Sequence, residues 1–393
     1  MHGARNPHAH RLGEQIPDAR RVVVKRTILI MAAGTGGHIF PGLAIAKELE
    51  LRGWDVHWMG TPWGMENKIV GDAGYPMVTV NISGVRGKGL AAWLFLPFRI
   101  LIGFLQSTVA IFRIRPDVML SLGGYVAFPG GMMAALWGRP LVVHEPGAVA
   151  GITNRFLAAV ADRVIVGMEG AFDRKVATAW ANRIPKPRRV EWHGTPVRDE
   201  IAKVPPPEER YSGRTGPLRL LVVGGSLGAQ TMNDLVLAAL ASMPPEKRPQ
   251  VVHQAGQKLH EHLQYGYQHA HVEAEVVPFI DDIARRYAWC DLLVCRSGAV
   301  TVAEIAAAGV ASILFPLPWF VVDEQTANAR FLADRGAGIA LEQLETKPDE
   351  LAEILLGLDR NRLADIARKA RALGKPDATR RCADVCVELA HAA

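Results

Sequence analysis

One sequence device occurs twice in this 393-residue chain and constrains the fold more than any other feature. The copies begin at Arg26 and Leu218, and each is a β-branched apolar run, a glycine-rich turn and a helical pattern. Glycines let backbone N–H groups approach a ligand closely, and the helix N-terminus behind them favours anions. The two copies therefore predict two α/β domains that face a cleft and bind a phosphorylated ligand. In the second copy, helical spacing is shown by Met232, Leu235, Ala239, Leu240 and Met243.

The rest of the chain alternates strand-like and helical runs, which is typical of doubly wound parallel sheets with crossover helices. A stretch rich in proline and arginine, at about 182–217, interrupts the alternation before it starts again. We therefore expect one Rossmann-like domain over 26–197 and a second over 198–375. A last helix at about 376–393 is expected to cross back onto the first domain.

The composition favours a globular protein, because 49% of the residues are apolar and the mean hydropathy is +0.09. Residues 1–25 are basic and lack the apolar core of a secretory signal, so we expect a disordered leader. The net charge of +6 is modest, and we expect no nucleic-acid partner. The cysteines at 290, 295, 382 and 386 lack zinc-site spacing, which predicts buried, reduced thiols and no metal.

An apolar segment at 90–112 has Arg99 as its only charged residue. A buried crossover helix, a membrane span, and a helix pair that lays an apolar patch on an anionic membrane all fit this composition. We favour the third arrangement, since spanning would separate parts of one sheet. The expected membrane contacts are Trp93, Phe95 and Phe98, with Arg86 and Lys88 on the basic rim.

The first glycine-rich loop ends at His38, which opens a helix facing the cleft. A dinucleotide fingerprint would need a glycine at Ile39 and an acidic residue after the second strand, so an oxidoreductase is disfavoured. His38 is a candidate general base or diphosphate contact, although a histidine here can also simply cap the helix.

Glu304 follows another turn expected to face the ligand. Its carboxylate could accept both hydroxyls of a ribose, or it could be a charge on an exposed helix face. The buried face of its helix is expected to include Val302, Ile305 and Ala306, with Gly309 ending the helix. The chain has no Asp-x-Asp triplet, which favours a diphosphate held by helix N-termini and an arginine without metal.

Eight motifs in order across residues 27–331 resemble the MurG family of N-acetylglucosaminyltransferases of bacterial peptidoglycan synthesis. They include AGTGGHIFPG, LGGYVAFPGG, GITNR, GGSLGAQ, FIDD and QTANA. The resemblance implies the GT-B fold, with a second domain that binds UDP-N-acetylglucosamine and a first domain that binds lipid I. It also implies an inverting enzyme without a cofactor, peripheral on the cytoplasmic face of the inner membrane, with cell-wall synthesis proteins as further partners.

The resemblance also implies roles for individual residues. Ile280 would read uracil with its backbone, Glu304 would hold the ribose, and Gln325 would contact the sugar. The donor diphosphate would be bound by Arg198, Gly225, Ser226 and Gly228. The acceptor diphosphate loop would comprise Thr35, Gly36, Gly37 and Asn154, with His38 facing the acceptor. From its chemistry and position we expect His38 to be the base, with Glu145 as the second candidate.

Several residues depart from the family pattern near the sugar and catalytic pocket. A polar amide is absent at Gly147 after Pro146, and Glu324 stands where the family has histidine. Trp319 and Phe320 occupy a turn that otherwise contains histidine, while Ala33 and Thr195 replace glycine and asparagine. The alternatives are therefore a UDP-N-acetylglucosamine 2-epimerase, which shares the architecture, and a sugar-nucleotide-binding homologue with impaired catalysis.

Overall fold

The computed structural model describes residues 25–82, 95–176, 178–225, 228–317 and 324–392. Several residues singled out from the sequence lie outside these ranges. They are the leader up to residue 24, Arg86, Lys88, Trp93, Ser226, Trp319 and Phe320.

The first half of the chain forms a doubly wound parallel sheet. Within the described ranges its strands are β1 (Thr27–Ala32), β2 (Asp55–Gly60), β3 (Met77–Thr79), β4 (Val118–Gly123), β5 (Leu141–Glu145), β6 (Arg163–Val166) and β7 (Val190–Trp192). Their spatial order is β3-β2-β1-β4-β5-β6-β7, so the chain starts near the centre and winds outward in both directions. The helices are α1 (Gly36–Leu51), α2 (Glu66–Asp72), α3 (Leu96–Ile114), α4 (Ala127–Leu136) and α5 (Ile152–Ala158), followed by a 3-10 helix at Ala179–Arg183.

The second half repeats this architecture. Its described strands are β8 (Arg219–Val223), β9 (Gln250–Gln254), β10 (Glu275–Val277), β11 (Leu292–Arg296), β12 (Ser312–Phe315) and β13 (Ile339–Ala340), in the spatial order β10-β9-β8-β11-β12-β13. Its helices are α6 (Asp199–Ala202), α7 (Pro207–Tyr211), α8 (Gln230–Ser242), α9 (His260–His269), α10 (Ile283–Trp289), α11 (Ala299–Ala308), α12 (Glu324–Ala333), α13 (Pro348–Leu356), α14 (Arg360–Leu373) and α15 (Ala378–Ala392). The two Rossmann-like domains predicted from the repeated device are confirmed.

Burial on both faces explains why the central strands read as continuous apolar runs. Residues 28–32 of β1 are 0% exposed, because helices cover both sides of the parallel sheet. In α11, Val302, Ile305 and Ala306 are buried, and Gly309 caps the helix with φ of 65°. Both features confirm the sequence prediction.

The last helix, α15, returns to the first domain. Cys382 and Cys386 are fully buried in the core that contains Ile28 and Ile30 of β1. All four cysteines are free and buried, as predicted. The chain therefore crosses between the domains twice, although the exact boundaries at 197/198 and 375/376 stay a prediction.

The two crossings lie side by side. Thr379 Oγ1 donates to the carbonyl oxygen of Val197 at 3.4 Å. Gly194 has φ of +88°, and a Cβ there would lie 2.4 Å from the Cβ of Lys375. Only glycine allows this close approach at a left-handed position. The Lys375 ammonium in turn lies 4.2 Å from the ring centroid of Trp192.

Helix α3 exposes most of its apolar side chains. Its buried positions are Gly103, Ser107, Ala110 and Ile111, which form one face, and Gly103 closely approaches Pro129 of α4. The helix is long and apolar enough to cross a membrane, by length and composition alone. Only 22% of its most apolar 18-residue stretch is buried inside the protein. The alternative of a wholly buried crossover helix is therefore wrong. The exposed apolar side chains are Phe98, Leu101, Ile102, Leu105, Val109 and Phe112, with Phe95 just before the helix.

Candidate active site

The two domains enclose a cleft of about 810 Å³ at the carboxyl ends of their parallel strands. This edge is where ligands bind in open α/β sheets. The cleft is lined by loops of the first domain and by the starts of α11 and α12 of the second. Of the residues predicted from the sequence, those that line it are Thr35, Gly37, His38, Glu145, Asn154 and Gln325.

His38 is the third residue of α1 and is half-buried. Its Nδ1 lies 3.2 Å from the carbonyl oxygen of Ala33. Since a carbonyl oxygen only accepts, this hydrogen bond assigns the ring proton to Nδ1 and leaves Nε2 as the acceptor. Burial lowers the pKa of His38 below its ordinary 6.5, and the hydrogen bond to Ala33 offsets part of that effect. A neutral imidazole with an accepting Nε2 is the form that a general base needs.

Glu145 is buried at the end of β5, where its carboxylate accepts three hydrogen bonds. The donors are the backbone N–H groups of Gly147 at 2.9 Å and Gly151 at 3.1 Å, and Asn154 Nδ2 at 2.9 Å. Burial raises the pKa of Glu145 to about 7, although these hydrogen bonds oppose the rise and the charge of Glu324 adds to it. Glu145 is thus poised to take or release a proton near neutral pH.

Asn154 acts in the structure as a support for Glu145. Its Nδ2 also lies 3.3 Å from the carbonyl oxygen of His144, while its Oδ1 is buried without a hydrogen-bond partner among the described residues. A side chain at Gly147 would be tightly placed here, because its Cβ would lie 3.3 Å from Glu145 Oε1 and 3.6 Å from Asn328 Oδ1.

The first glycine-rich loop is anchored by Glu66, which the sequence reasoning missed. The Glu66 carboxylate is fully buried and accepts from the backbone N–H of Gly34 at 3.2 Å. It also accepts from the N–H of Thr61 at 2.8 Å and from Thr61 Oγ1 at 2.7 Å. Burial raises the pKa of this carboxyl, but the hydrogen bonds outweigh burial and hold the pKa below its ordinary value. The Gly34 amide is consequently engaged by the protein itself, so the predicted phosphate contacts are left to the rest of the loop.

The second glycine-rich loop is held in a similar way by Gln254 at the end of β9. Gln254 Nε2 donates to the carbonyl oxygen of Gly225 at 3.0 Å. Its Oε1 accepts from the backbone N–H of Ile280 at 3.1 Å. Gly228 has φ of +80°, and a Cβ there would lie 2.5 Å from the Ala255 carbonyl oxygen. Gln254 therefore joins the segment predicted to read the base to the loop predicted to bind the diphosphate.

Arg198 and Glu304, the other predicted donor ligands, form an ion pair, and neither of them lines the cleft described above. Arg198 Nη2 lies 3.3 Å from Glu304 Oε1, and Tyr287 Oη donates to Glu304 Oε2 at 3.3 Å. Burial raises the pKa of Glu304, while Arg198 and the hydrogen bond from Tyr287 oppose the rise. Glu304 is therefore a buried carboxylate rather than the charge on an exposed helix face that the sequence left open.

Gln325 and Asn328 bring helix α12 to the cleft. Gln325 Oε1 accepts from the backbone N–H of Leu317 at 3.0 Å, and its carbonyl accepts from Ser297 Oγ at 2.8 Å. Asn328 is buried and links the domains, because its Oδ1 accepts from the N–H of Ala148 at 2.8 Å. Its Nδ2 donates to the carbonyl oxygen of Ser297 at 3.0 Å. Asn328 lies inside the QTANA motif, which was the available signal for it.

Two Rossmann-like domains that face one cleft, each with a glycine-rich loop, define the GT-B fold. Residues 28–166 match the Glycosyltransferase family 28 N-terminal domain, and residues 219–382 match the Glycosyltransferase family 28 C-terminal domain. The chain belongs to glycosyltransferase family 28, and within it to the MurG family.

Individual relatives support this assignment over nearly the whole chain. The UDP-N-acetylglucosamine–N-acetylmuramyl-(pentapeptide) pyrophosphoryl-undecaprenol N-acetylglucosamine transferase of Aromatoleum aromaticum is 54% identical over 365 residues, covering 93% of this chain and 98% of that protein. The crystal structure of Acinetobacter baumannii MurG has a TM-score of 0.80 at 38% identity and covers 92% of this chain and 99% of its own.

The epimerase alternative is supported by the fold alone. A putative UDP-N-acetylglucosamine 2-epimerase from Listeria monocytogenes has a TM-score of 0.59 at 14% identity. The matched domains and the much closer relatives make the chain a hexosyltransferase. The transferase interpretation is favoured over the epimerase.

Proposed function

We propose that this enzyme moves N-acetylglucosamine from UDP-N-acetylglucosamine to the C4 hydroxyl of N-acetylmuramic acid in lipid I, giving lipid II with inversion. The observation that carries the proposal is the near full-length likeness to a transferase named for these substrates. The cleft between two glycine-rich loops supports it, because one loop can bind the donor diphosphate while the other faces the acceptor diphosphate.

The donor lies against the second domain in this proposal. Ile280 reads uracil through its carbonyl oxygen, and Glu304 accepts the ribose hydroxyls that replace part of its contact with Arg198. Arg198 and the loop from Gly225 to Gly228, including Ser226, neutralise the diphosphate together with the N-terminus of α8. The sugar then projects into the cleft toward Gln325.

The acceptor lies against the first domain, with Thr35, Gly36 and Gly37 binding its diphosphate at the start of α1. The C4 hydroxyl attacks the anomeric carbon opposite the departing UDP, forming one C–O bond as the other breaks. His38 Nε2 takes the hydroxyl proton, since Nδ1 is bound to the Ala33 carbonyl. Charge on the leaving diphosphate is stabilised by the second glycine-rich loop and Arg198, without a metal ion.

The membrane location is part of the same proposal. The exposed apolar face of α3, with Phe95 and Phe98, rests on the cytoplasmic face of the inner membrane, where a polyprenyl acceptor would be embedded. Trp93, Arg86 and Lys88 extend this contact to the headgroups. Cell-wall synthesis proteins are further partners in this proposal.

One assay tests the activity. The protein is incubated with radiolabelled UDP-N-acetylglucosamine in the presence and absence of a lipid I analogue, and the products are separated. Label transferred only when the lipid is present supports the proposal. Conversion of the nucleotide sugar without the lipid would indicate an epimerase, and binding without turnover would indicate a homologue with impaired catalysis.

A further inference from the structure

We propose that a row of four aromatic rings binds the polyprenyl chain of the acceptor and leads it from α3 to the cleft. The aromatic row consists of Phe104, Phe128, Phe156 and Trp180. The inference rests on the proposed function, because it assumes an acceptor with a long apolar chain and an anionic head.

The four rings come from four successive helices, which are separated in the chain by strands β4, β5 and β6, and each ring contacts the next. Phe104 lies on α3, Phe128 on α4, Phe156 on α5 and Trp180 on the 3-10 helix. Each neighbouring pair has ring centroids 5.9 Å apart, with interplanar angles from 39° to 68°. These tilted and edge-on contacts lie within the range in which aromatic rings attract each other. The rings therefore form one continuous apolar strip across three helices and a turn.

The aromatic row is accessible along its length. Phe104 and Phe128 are half-buried, while Phe156 is 37% and Trp180 is 53% exposed. At its first end the strip joins the exposed apolar face of α3, where Leu101 is 57% exposed. A contiguous exposed apolar surface of this kind marks a binding site for apolar material.

The other end of the aromatic row lies at the active site. Trp180 lines the cleft together with Thr178, Glu145 and His38. Its segment is held in place, because Asn182 Oδ1 accepts from the N–H of Val176 and Asn182 Nδ2 donates to the Val176 carbonyl, each at 2.8 Å. Trp180 is thus presented at the cleft mouth by an anchored turn.

Charge at the two ends matches an anionic lipid better than a protein partner. Residues 174–189, which surround Trp180, include six basic residues and no acidic one, and two of the six pair with flanking carboxylates, Lys186 with Asp173 and Arg189 with Glu191. Near α3 the row adjoins a helix whose exposed side chains are mostly apolar. A ligand that is apolar at one end and anionic at the other fits this gradient, as a polyprenyl diphosphate is. A second copy of this chain would have to place its own basic segment against like charge.

The experiment compares two acceptors in detergent micelles, one with a long polyprenyl chain and one with a short, water-soluble chain. The variants are Trp180→Ala and Phe156→Ala. The matched control is Tyr265→Ala, because Tyr265 is a 60% exposed ring on α9 of the second domain, 4.5 Å from the His269 ring and outside both the row and α3. Circular dichroism verifies that each variant folds, and sedimentation gives its oligomeric state.

We expect Trp180→Ala and Phe156→Ala to raise KM for the long-chain acceptor at least about fivefold, as loss of one buried aromatic contact allows. KM for the short-chain acceptor should stay near the wild-type value in Phe156→Ala, whose side chain does not line the cleft, and Tyr265→Ala should change neither KM. An equal rise of both KM values in Phe156→Ala would overturn the inference, since the ring would then not discriminate the polyprenyl chain. Equal behaviour of Phe156→Ala and Tyr265→Ala, or a wild-type dimer that Trp180→Ala dissociates, would also overturn it. A wild-type protein that uses neither acceptor would instead refute the proposed function.

Discussion

Two side chains of the cleft, His38 and Glu145, are candidates for the same proton. Their surroundings shift their pKa values in opposite directions, since burial lowers the pKa of His38 below 6.5 and raises the pKa of Glu145 to about 7. A base acts when deprotonated, so activity rises as the pH passes its pKa. The pH dependence of turnover therefore separates the two assignments.

We predict that the acidic limb of the kcat profile lies below pH 6.5, because His38 is the base. His38→Ala should lower kcat roughly 100-fold or more while leaving donor affinity nearly unchanged. Steady-state kinetics from pH 5 to 9 and donor calorimetry provide the measurements. A limb near pH 7 that disappears in Glu145→Gln would assign the base to Glu145 instead.

Glu145 also predicts a pH-dependent stability. Its pKa in the folded protein, about 7, is above the ordinary 4.5, so the folded state binds the proton more tightly. The contribution of Glu145 to the free energy of unfolding is therefore fully present below about pH 4.5 and is lost as the pH rises through about 7. Urea unfolding at several pH values should show this loss in the wild type and a smaller one in Glu145→Gln. Identical pH dependence in the two proteins would contradict the raised pKa.

Glu66 should position the acceptor loop without touching the substrate. In Glu66→Gln, an NH₂ group replaces one of the two side-chain oxygens. The one remaining oxygen cannot reach both the Gly34 N–H and the Thr61 N–H, which bind different oxygens of Glu66. We expect the acceptor KM to rise about tenfold, equivalent to about 1.4 kcal/mol, with unchanged donor affinity because the donor site lies in the other domain.

Thr61→Val is the matched control for Glu66. It removes only the hydroxyl hydrogen bond to Glu66 Oε1 and keeps the contact with Gly34. Its acceptor KM should remain within about twofold of wild type, since an ordinary hydrogen bond contributes about 1 kcal/mol or less to stability and this one does not reach the loop. A wild-type acceptor KM in Glu66→Gln would remove Glu66 from any role in acceptor binding.

Among the structural elements, α3 carries the largest exposed apolar surface described above. We predict that Phe98→Ser with Leu105→Ser lowers binding to anionic vesicles at least about tenfold, since each side chain buried in the membrane contributes about 2 kcal/mol. Both side chains are at least 60% exposed, so thermal unfolding should be unchanged. Vesicle sedimentation measures the binding, and turnover of a short-chain acceptor should survive.

The control for α3 is Tyr265→Ser, which removes a side chain that is also 60% exposed but lies on α9 of the second domain. Vesicle binding should not change in this variant. In a separate measurement, high salt should weaken the vesicle binding of the wild-type protein if Arg86 and Lys88 contact anionic lipid. Unaltered binding of the double variant would place the membrane contact elsewhere.

The elements also show how far sequence reasoning reaches. Central strands such as β1 and β4 were predictable, because burial on both faces demands continuous apolar runs. Two short strands were not predicted. Val190–Trp192 lies inside the stretch interpreted as a linker, and Ile339–Ala340 lies near the end of the second sheet. Such edge strands are defined by pairing with a neighbour rather than by their own pattern.

In the active site, too, some residues were predictable from the sequence and others were not. His38 and Glu145 lie at the carboxyl ends of strands, within motifs that the sequence displays. Glu66, Gln254 and Asn328 were not singled out, because their roles depend on partners distant in the chain or in loops. The clearest case is the contact of Asn328 with Ala148, which joins residues 180 positions apart. No periodicity or spacing signals such a contact.

For the whole molecule, Asn328 supplies a direct hydrogen bond across the cleft. We predict that Asn328→Ala lowers kcat/KM about fivefold, because the lost hydrogen bond to the Ala148 N–H is worth about 1 kcal/mol. Asn328→Asp keeps the accepting oxygen while losing the bond to Ser297, and should retain more activity. Equal loss in both variants would show that the Ser297 contact matters instead.

The two chain crossings at Val197 and Thr379 have a mechanical consequence, because they touch each other and meet where Gly194 packs on Lys375. Because the two connections lie at one place, they restrict rotation of the domains less than two widely separated connections would. Rotation about this place would also separate Ala148, Val149 and Met168 of the first domain from Ile305 and Phe331 of the second, with which they form one buried apolar cluster. This apolar contact between the domains therefore stabilises the arrangement seen here and resists opening of the far side of the cleft.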